Sequence, residues 1–243
     1  MNRAKIGKSQ WHYASSSRAR SVQVKQVARR FRCKDLTVVN MARTESVILD
    51  VGFQAPEFSL PEPLTGRSIS LYEYAKDSKA TVIMIICNHC PFVVHLKPHI
   101  VDLAKEYRSK GVSFVAISSN STETHPQDGP ENMAKDAKEQ GYPFPYLFDE
   151  TQEVAKAYQA ACTPEFMVFD SDLQLQYHGQ WDDSRPSKYG GDIPVTGKDI
   201  RHALDLVLAG QAVEKPWKPS IGCNVKWNTG NEPAWYGTAS STS

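Results

Sequence analysis

Two cysteines stand close together at a point where the chain changes its pattern. An apolar, mostly β-branched run over residues 82–86 ends at Cys87, and Cys90 follows after Asn88 and His89. Pro91 comes next and opens an apolar periodicity of helical type. Proline suits the first helical position because its φ is preset and its missing N–H would be unpaired there anyway. The pattern therefore predicts a buried strand, a short loop with two thiols, and a helix capped at or next to Cys90.

The chemistry expected of these residues is that of a thiolate. Unpaired N–H groups and the positive end of the helix dipole stabilise a negative charge at a helix N-terminus by about 0.3–2 kcal/mol. The thiolate is the reactive form of cysteine, and His89 beside it could add positive charge. We therefore predict a lowered pKa for Cys90, whereas the pKa of Cys87, in the preceding loop, should stay nearer to the free-thiol value.

Composition narrows the class of protein. The 243 residues are 40% apolar and 23% charged, which suits one globular domain with extensions. No apolar run approaches the ~20 residues that a membrane span needs. Five cysteines are too few for a disulfide scaffold in a chain of this length. With no secretory signal, a Cys-x-x-Cys pair indicates redox or metal chemistry.

The positive charges are concentrated at one end. Residues 1–40 hold ten Lys and Arg and a single acid, Asp35, so the rest of the chain has 18 of the 28 basic and 26 of the 27 acidic residues. The acidic main part argues against a nucleic-acid partner. A Ser-, Arg- and Lys-rich leader predicts an organellar transit peptide, for the plastid before the mitochondrion. The alternative is a tail from an upstream start codon, with a cytoplasmic protein starting at Met41. Either way, Cys33 should lie outside the chemistry.

The elements that must position the thiols follow from periodicity and from turn residues. A strand buried on both faces, a helix and a second buried strand imply a parallel pair with a crossover. We predict a domain over 41–212 and a C-terminal extension over 213–243 without clear period. The predicted strands are 58–60, 66–71, 81–86, 112–118, 143–148, 166–169 and 173–178, and the predicted helices are 91–110, 130–141, 150–160 and 196–210.

This order of elements resembles the thioredoxin fold, an α/β fold with a central mixed sheet flanked by helices. The strand and helix at 143–160 look like the insertion of its peroxiredoxin branch. Several motifs resemble a bacterial and plastid group of peroxiredoxin-like (AhpC/TSA-type) thioredoxin-family proteins. They are Cys-Asn-His-Cys-Pro-Phe-Val (87–93), Ala-Cys-Thr-Pro-Glu-Phe (161–166), Asp-Asp-Ser-Arg-Pro (182–186), Pro-Val-Thr-Gly-Lys-Asp (194–199) and Pro-Ser-Ile-Gly-Cys-Asn (219–224).

The resemblance sets the register of the two thiols. The kink proline of thioredoxins lies eight residues after the attacking cysteine, and Pro98 lies eight residues after Cys90. Peroxiredoxins place Pro directly after the attacking cysteine, as Pro91 is placed here. The resemblance thus implies that Cys90 attacks. Val93 occupies the usual resolving position, so Cys87 is the expected resolving thiol.

Three departures separate this chain from the families that it resembles. Peroxiredoxins have a Thr three residues before the attacking cysteine, where this chain has Cys87. They have an Arg just before the strand that here follows Thr163-Pro164, and none is present. The carboxylate that thioredoxins bury in the central strand is missing from residues 81–86. Peroxide activation by the Thr/Arg pair is therefore not expected to operate unchanged.

The resemblance also implies a set of neighbours for the thiols. Pro164 should be cis and face the cysteines, with the backbone at Thr163 free to pair with an incoming peptide or thiol. Cys162 would lie near the pair, either as a third thiol or as a small buried filler. Cys223 could fold back as a resolving thiol, but we favour simple packing.

The loop 179–196 should border the same site. Trp181, Asp182 and Arg185 are candidates for partner recognition, and the alternative is a solvated loop held by its own polar contacts.

The sequence therefore suggests a thiol–disulfide oxidoreductase of redox homeostasis or antioxidant defence. Cys90 would attack a protein or small-molecule disulfide, and Cys87 would resolve the mixed disulfide. No cofactor is expected, and electrons would come from a thioredoxin or glutathione system. One alternative is a thiol peroxidase, in which the sulfenic acid of Cys90 condenses with another thiol of the chain. Another is a zinc or copper carrier that uses Cys87, Cys90 and His89 or His95.

Overall fold

The apolar run before Cys87 forms the middle strand of the main sheet. The computed structural model describes residues 43–236, so the proposed transit peptide at residues 1–40 and Cys33 lie outside the described residues. The strands are β1 (Arg43–Glu45), β2 (Ser59–Pro61), β3 (Ser68–Ser70), β4 (Ala80–Ile85), β5 (Val112–Ser118), β6 (Tyr146–Phe148), β7 (Cys162–Thr163), β8 (Glu165–Asp170), β9 (Leu175–Gly179) and β10 (Ile221–Asn224). The helices are α1 (Leu71–Ala75), α2 (Pro91–Arg108), α3 (Pro130–Gln140), α4 (Glu153–Ala157) and α5 (Lys198–Leu208).

The main sheet has five strands in the order β6-β5-β4-β8-β9. Strand β4 pairs parallel with β5 and antiparallel with β8, and all six of its residues are buried. Strands β8 and β9 form the predicted antiparallel hairpin. The mixed sheet and its flanking helices confirm the predicted thioredoxin-like fold.

Each face of β4 packs into its own apolar core. Val82 and Met84 belong to the core that contains Leu96 of α2 and Ile200 of α5. Ile83 and Ile85 face the opposite core, which contains apolar residues of α1 and α4. Burial of both faces leaves the end of β4 fixed in position, and the thiol loop begins there.

A second, three-stranded sheet lies beside the thiols in the order β1-β10-β7. Strand β10 comes from the C-terminal part that showed no period in the sequence, and it pairs antiparallel with both neighbours. Residues on either side of β10 extend this attachment, since Ser46 N–H donates to the carbonyl of Ser220 at 2.9 Å and Val225 N–H donates to that of Ala161 at 3.1 Å. The C-terminal part thus reaches the neighbourhood of the Cys-x-x-Cys loop.

One helix is much shorter than predicted, and another was not predicted at all. The helix expected at 150–160 covers only Glu153–Ala157. It is preceded by Gln152 in a left-handed conformation, whose side-chain amide donates to the carbonyls of Ser119 and Lys226 instead of capping a longer helix. Helix α1 was not predicted, because five residues give too short a window for a helical period. None of the helices within residues 43–236 is long and apolar enough to cross a membrane.

Candidate redox site

Cys90 occupies the end of a helix, as the sequence predicts. It is the N-cap residue of α2, Pro91 is the first helical residue, and the helix continues through Pro98 to Arg108. The Cys90 side chain is fully buried. Its sulfur therefore sits where helix N–H groups and the dipole favour negative charge, shielded from bulk water.

Three groups surround the sulfur of Cys90. The Sγ of Cys223 lies 2.8 Å away, and the carbonyl oxygen of Thr163 lies 3.1 Å away. Cys87 also interacts with Cys90, and its own Sγ lies 3.4 Å from the hydroxyl of Thr163. All four cysteines among the described residues are free and buried. The structure thus brings three thiols together, one of them from a distant part of the chain.

The three thiols divide into one acidic and two weakly acidic groups. Burial raises the pKa of Cys90, but hydrogen bonds from Cys223 and Cys87 outweigh it and lower that pKa below the ordinary thiol value. The Val93 N–H favours the thiolate in the same way. Burial raises the pKa of Cys87, and the hydrogen bond to Cys90 raises that of Cys223. The direction predicted for Cys90 is confirmed. The expectation of a near-normal Cys87 was wrong, because that thiol is almost completely buried.

The loop between the two thiols is fixed by Asp128. One oxygen of its buried carboxylate accepts from the backbone N–H of Asn88 at 2.9 Å and of His89 at 3.3 Å. The other oxygen lies 2.6 Å from Nδ1 of His89 and accepts from the Asn120 amide at 2.8 Å. The side chain of His89 therefore engages Asp128, and its ring stacks on His125 with centroids 5.2 Å apart.

A second anchor holds Asn88. The buried ammonium of Lys97 donates to the Asn88 carbonyl at 3.0 Å and pairs with Asp136 at 2.7 Å. The hydroxyl of Tyr146 donates to the Asn88 side-chain oxygen at 3.0 Å. These contacts tie the loop to α2, α3 and β6, so the spacing of the two thiols is set by packed elements.

The Thr163–Pro164 peptide bond is cis, as the resemblance implied. The backbone at Thr163 is not free for a partner, however, because Thr163 pairs with Cys223 of β10. That expectation was wrong, since the chain's own C-terminal strand occupies the edge. Cys162 pairs with Asn224, and burial raises the pKa of its thiol.

Sequence reasoning missed a buried, hydrogen-bonded Glu–His pair next to Cys162. Oε1 of Glu165 lies 2.7 Å from Nε2 of His178, and both side chains are fully buried. The other oxygen of Glu165 accepts from the N–H groups of Ala161 at 2.9 Å and Cys162 at 3.2 Å. Leu49 N–H donates to Nδ1 of His178 at 3.1 Å, so Nε2 carries the proton that Glu165 accepts. The pair fixes the turn before Pro164. Its only sequence signal was Glu in an otherwise apolar strand.

The loop 179–196 borders the site through a small cleft. Its lining includes Phe92, Pro164, Trp181, Arg185 and Ile221. Trp181 is buried and packs against Phe166 with centroids 5.2 Å apart, while Tyr189 stacks on Phe92 at 4.7 Å. The cleft therefore lies between the cis-proline, α2 and β10.

Polar contacts within the loop account for Asp182 and Arg185. The Asp182 carboxylate accepts from N–H groups of Ser184, Thr196 and Gly197 at 2.8, 2.6 and 2.6 Å. The Arg185 guanidinium donates to the carbonyl of Asp182 at 2.8 Å and to two further oxygens of its own loop. These contacts hold the loop against the start of α5.

Cys87, His89 and Asp128 form a set with metal-ligating atoms. Among the described residues their ligand atoms lie within 4.8 Å of one another. The set contains neither Cys90 nor His95, whose Nε2 lies 3.2 Å from the Ser184 hydroxyl. The four hydrogen-bond partners of Asp128 leave little of its carboxylate for an ion, so its contacts are those of a structural anchor.

A sequence comparison places this site in a known family. The AhpC/TSA family profile matches residues 51–178, which include both thiols of the loop and the cis-proline. The chain belongs to the AhpC/TSA family. The predicted resemblance to peroxiredoxin-like proteins of the thioredoxin superfamily is thereby confirmed. No curated protein matches the chain significantly.

Solved structures agree with the family. An uncharacterized conserved protein from Geobacillus kaustophilus is 56% identical, with a TM-score of 0.74 over 78% of this chain and 98% of that chain. A hypothetical protein from Sinorhizobium meliloti 1021 is 44% identical, with the same TM-score over 77% and 100% of the two chains. A protein from Chlorobium tepidum described as a thiol:disulfide interchange protein DsbE is 18% identical, with a TM-score of 0.51 over 66% and 99%. At 18% identity, the similarity to the Chlorobium tepidum protein shows only that the two chains share a fold.

Proposed function

We propose that this AhpC/TSA protein is a thiol–disulfide oxidoreductase of redox homeostasis in which Cys90 is the attacking thiol. The observation that supports it most is a cysteine at the start of α2 with a lowered pKa and two further thiols against its sulfur. A lowered pKa keeps the nucleophile ionised at neutral pH, and an adjacent thiol allows the adduct to be released without an external partner.

The reaction proceeds in two exchanges. The thiolate of Cys90 attacks one sulfur of a disulfide, a Cys90 mixed disulfide forms, and the other sulfur leaves as a thiolate. A second thiol of the chain then attacks Cys90, releases the remaining thiolate and leaves an internal disulfide. Cys87 is the partner that the sequence predicts, and its interaction with Cys90 supports it. Two external thiol groups, from a thioredoxin or glutathione system, restore the reduced form.

Family membership favours one alternative, a thiol peroxidase. In that case Cys90 removes one oxygen from a hydroperoxide, and the resulting sulfenic acid condenses with a neighbouring thiol to release water. Cys87 stands where relatives have the activating Thr, and its pKa is raised. The disulfide reaction needs neither the missing Thr nor the missing Arg, and we therefore rank it first.

A coupled assay separates the alternatives. Full-length protein is mixed with NADPH, thioredoxin, thioredoxin reductase and one acceptor, either glutathione disulfide or hydrogen peroxide. We expect NADPH oxidation above background with the disulfide and much slower oxidation with peroxide. Faster turnover with peroxide would favour the peroxidase. No turnover with either acceptor, together with one equivalent of zinc or copper in the purified protein, would favour the metal carrier.

For localisation, we propose delivery to an organelle, the plastid before the mitochondrion. The support is the concentration of ten Lys and Arg against one acid in residues 1–40. A fluorescent protein fused to the C-terminus of the full chain should accumulate in the organelle and lose this signal when the fusion starts at Met41. A cytosolic signal from the full-length fusion would reject the proposal.

A further inference from the structure

Strand β10 lies where the backbone beside the cis-proline would otherwise be open. Cys223 is paired with Thr163 on one side and with Arg43 on the other. Its sulfur lies 2.8 Å from that of Cys90, longer than the ~2.05 Å of a disulfide but inside the contact distance of two separate sulfurs. The chain therefore presents one of its own thiols to Cys90 in the manner of a bound strand.

Gly222 is what allows this close approach. A Cβ built on Gly222 would lie 2.0 Å from the carbonyl oxygen of Thr163 and 3.1 Å from the nitrogen of Pro164. No side chain fits between the strands at this position, so the residue before Cys223 must lack one. A larger residue at position 222 would push β10 away from β7. The glycine therefore keeps the sulfurs of Cys223 and Cys90 close together.

Hydrogen bonds on both sides hold β10 in this place. The Ser220 hydroxyl donates to the carbonyl of Gly179 at 2.7 Å, and Ser220 N–H donates to the Ser46 hydroxyl at 2.9 Å. Beyond the strand, Lys226 N–H donates to the Asn120 side-chain oxygen at 2.9 Å, and Ser121 N–H donates to the Lys226 carbonyl at 2.7 Å. An extended polypeptide could pair with β7 only by displacing these contacts.

We propose that Cys223 is the thiol that closes a disulfide with Cys90 after attack, and that the substrate is a low-molecular-weight disulfide. This inference rests on the proposed function, since it needs Cys90 as the attacking thiol. It differs from the sequence-based assignment of that role to Cys87. The small substrate follows because β10 fills the edge along which a polypeptide strand would lie.

Charge and hydrogen bonding support Cys223 over Cys87. The pKa of Cys223 is raised mainly by its hydrogen bond to Cys90, and the Lys226 ammonium lowers it. The hydrogen bond ends once Cys90 carries an adduct. The largest cause that raises the pKa of Cys87 is burial, which remains, and the Asp128 carboxylate adds to it. Oxidation of Cys90 therefore releases Cys223 for attack more than it releases Cys87.

The step balances without any further reactant. Reduced protein has a thiolate at Cys90 and a thiol at Cys223, and the substrate has one sulfur–sulfur bond. Attack by Cys90 breaks that bond, forms a Cys90 mixed disulfide and expels the first thiolate. Attack by Cys223 on the Cys90 sulfur forms the Cys90–Cys223 disulfide and expels the second thiolate. The Cys223 proton ends on one released thiolate, the other thiolate takes a proton from water, and two electrons pass from protein to substrate.

The test maps the disulfide directly. Full-length protein is reduced, freed of reductant, mixed with one equivalent of glutathione disulfide, quenched at intervals with acid and an alkylating agent, and digested without reduction. We expect a Cys90–Cys223 cross-linked peptide from the wild type and from Cys87→Ser. Cys223→Ser should instead accumulate Cys90 joined to glutathione. A Cys87–Cys90 link in the wild type with Cys223 alkylated would overturn the inference, as would a glutathione adduct that accumulates in Cys87→Ser.

A second variant moves the strand while keeping all thiols. Gly222→Ala should slow formation of the Cys90–Cys223 link by about tenfold or more, because the sulfurs lose their alignment. The control Cys33→Ser should react at the wild-type rate, and circular dichroism checks that both variants are folded. An unchanged rate in folded Gly222→Ala would contradict the role given to β10.

Two outcomes distinguish this inference from the proposed function. If Cys90 takes up no glutathione in any variant, the oxidoreductase proposal itself fails. If Cys90 reacts but links to Cys87, the oxidoreductase stands and only the role of Cys223 falls. The substrate class is tested separately, since the wild type should react faster with glutathione disulfide than with the disulfides of insulin. A faster reaction with insulin would overturn it.

Discussion

The loop 87–90 and strand β10 each bring a thiol to Cys90, but by different means. Cys87 lies three residues away along the chain, in a loop tied down by Asp128 and Lys97. Cys223 lies 133 residues away and is positioned by strand pairing on both sides. The comparison shows that a Cys-x-x-Cys motif does not by itself identify every thiol that lies beside Cys90.

The two regions also differ in electrostatics. The Asp128 carboxylate near Cys87 disfavours a second negative charge there, whereas the Lys226 ammonium near Cys223 favours one. The Lys226 ammonium itself donates to two oxygens of Asn224 at 2.7 Å, which keeps it on the strand that carries Cys223. Cys87 is therefore well placed to stay protonated as a donor, and Cys223 is well placed to become a nucleophile.

The largest effect is expected when Cys90, the residue that both regions contact, is replaced. Cys90→Ser should abolish disulfide turnover, a loss of about a thousandfold or more, because a serine hydroxyl is not ionised near neutral pH. The coupled NADPH assay measures this, with Cys33→Ser as the matched cysteine control. Residual turnover above one tenth of wild type would mean that Cys87 or Cys223 attacks instead.

The contribution of β10 to the lowered pKa can be separated from its role as a reactant. Alkylation of wild-type Cys90 by iodoacetamide should be slow because the sulfur is buried, yet nearly independent of pH from about 6 to 8 because the thiolate is already formed. Cys223→Ala removes a hydrogen bond to that thiolate, worth about 1.5–3 kcal/mol, and should move the midpoint of the pH profile up by about one to two units.

The matched variant Cys223→Ser keeps a donor at the same place. Its profile should stay near that of the wild type, although it cannot form the disulfide. Peptide mapping of the alkylated cysteine reports Cys90 alone. If Cys223→Ala and Cys223→Ser shift the midpoint equally, the hydrogen bond from Cys223 does not lower the pKa of Cys90.

The loop side of the comparison is tested by Asp128→Asn. The amide replaces one accepting oxygen with a donor that faces donors, which should lower the free energy of unfolding by about 1–3 kcal/mol. Despite burial, the hydrogen bond with His89 and that from Asn120 keep the pKa of Asp128 below its usual value in the folded protein. Its contribution is thus complete at neutral pH and is lost only as the pH falls through that lowered pKa.

Denaturant unfolding at two pH values checks this. The deficit of Asp128→Asn relative to wild type should persist at about pH 5 and shrink as the pH falls below the ordinary carboxyl pKa of 3.8 and then through the lowered pKa of Asp128. Asp102→Asn, on the exposed side of α2, is the control and should change stability little. A deficit that stays the same at the lower pH would mean that the charge of Asp128 is not what stabilises the loop.

Local signals predicted one of the compared regions and not the other. Pro91 after Cys90 and the apolar run before Cys87 are adjacent in sequence, so strand, loop and helix start could be placed without tertiary knowledge. Strand β10 has only four residues and no period, and its position depends on pairing with β1 and β7. Asp128 lies in a polar stretch whose sequence looks like that of an ordinary solvated loop, so its role as an anchor could not be predicted. Its partners Asn88, His89 and Asn120 are distributed over two loops that only folding brings together.

The smallest expected effect concerns the loop 179–196. The Arg185 guanidinium donates to oxygens of its own loop, including the carbonyl of Ser184 at 2.6 Å and the side chain of Gln180 at 2.7 Å. Because it also lines the cleft beside Pro164, Arg185→Ala should slow reduction of insulin by at most about threefold and leave that of glutathione disulfide unchanged. Lys188→Ala removes an exposed positive charge from the same loop and serves as the control. Equal slowing with both substrates would instead place Arg185 in the path to Cys90 itself, and the cleft would then be the route by which small disulfides reach the sulfur that β10 covers.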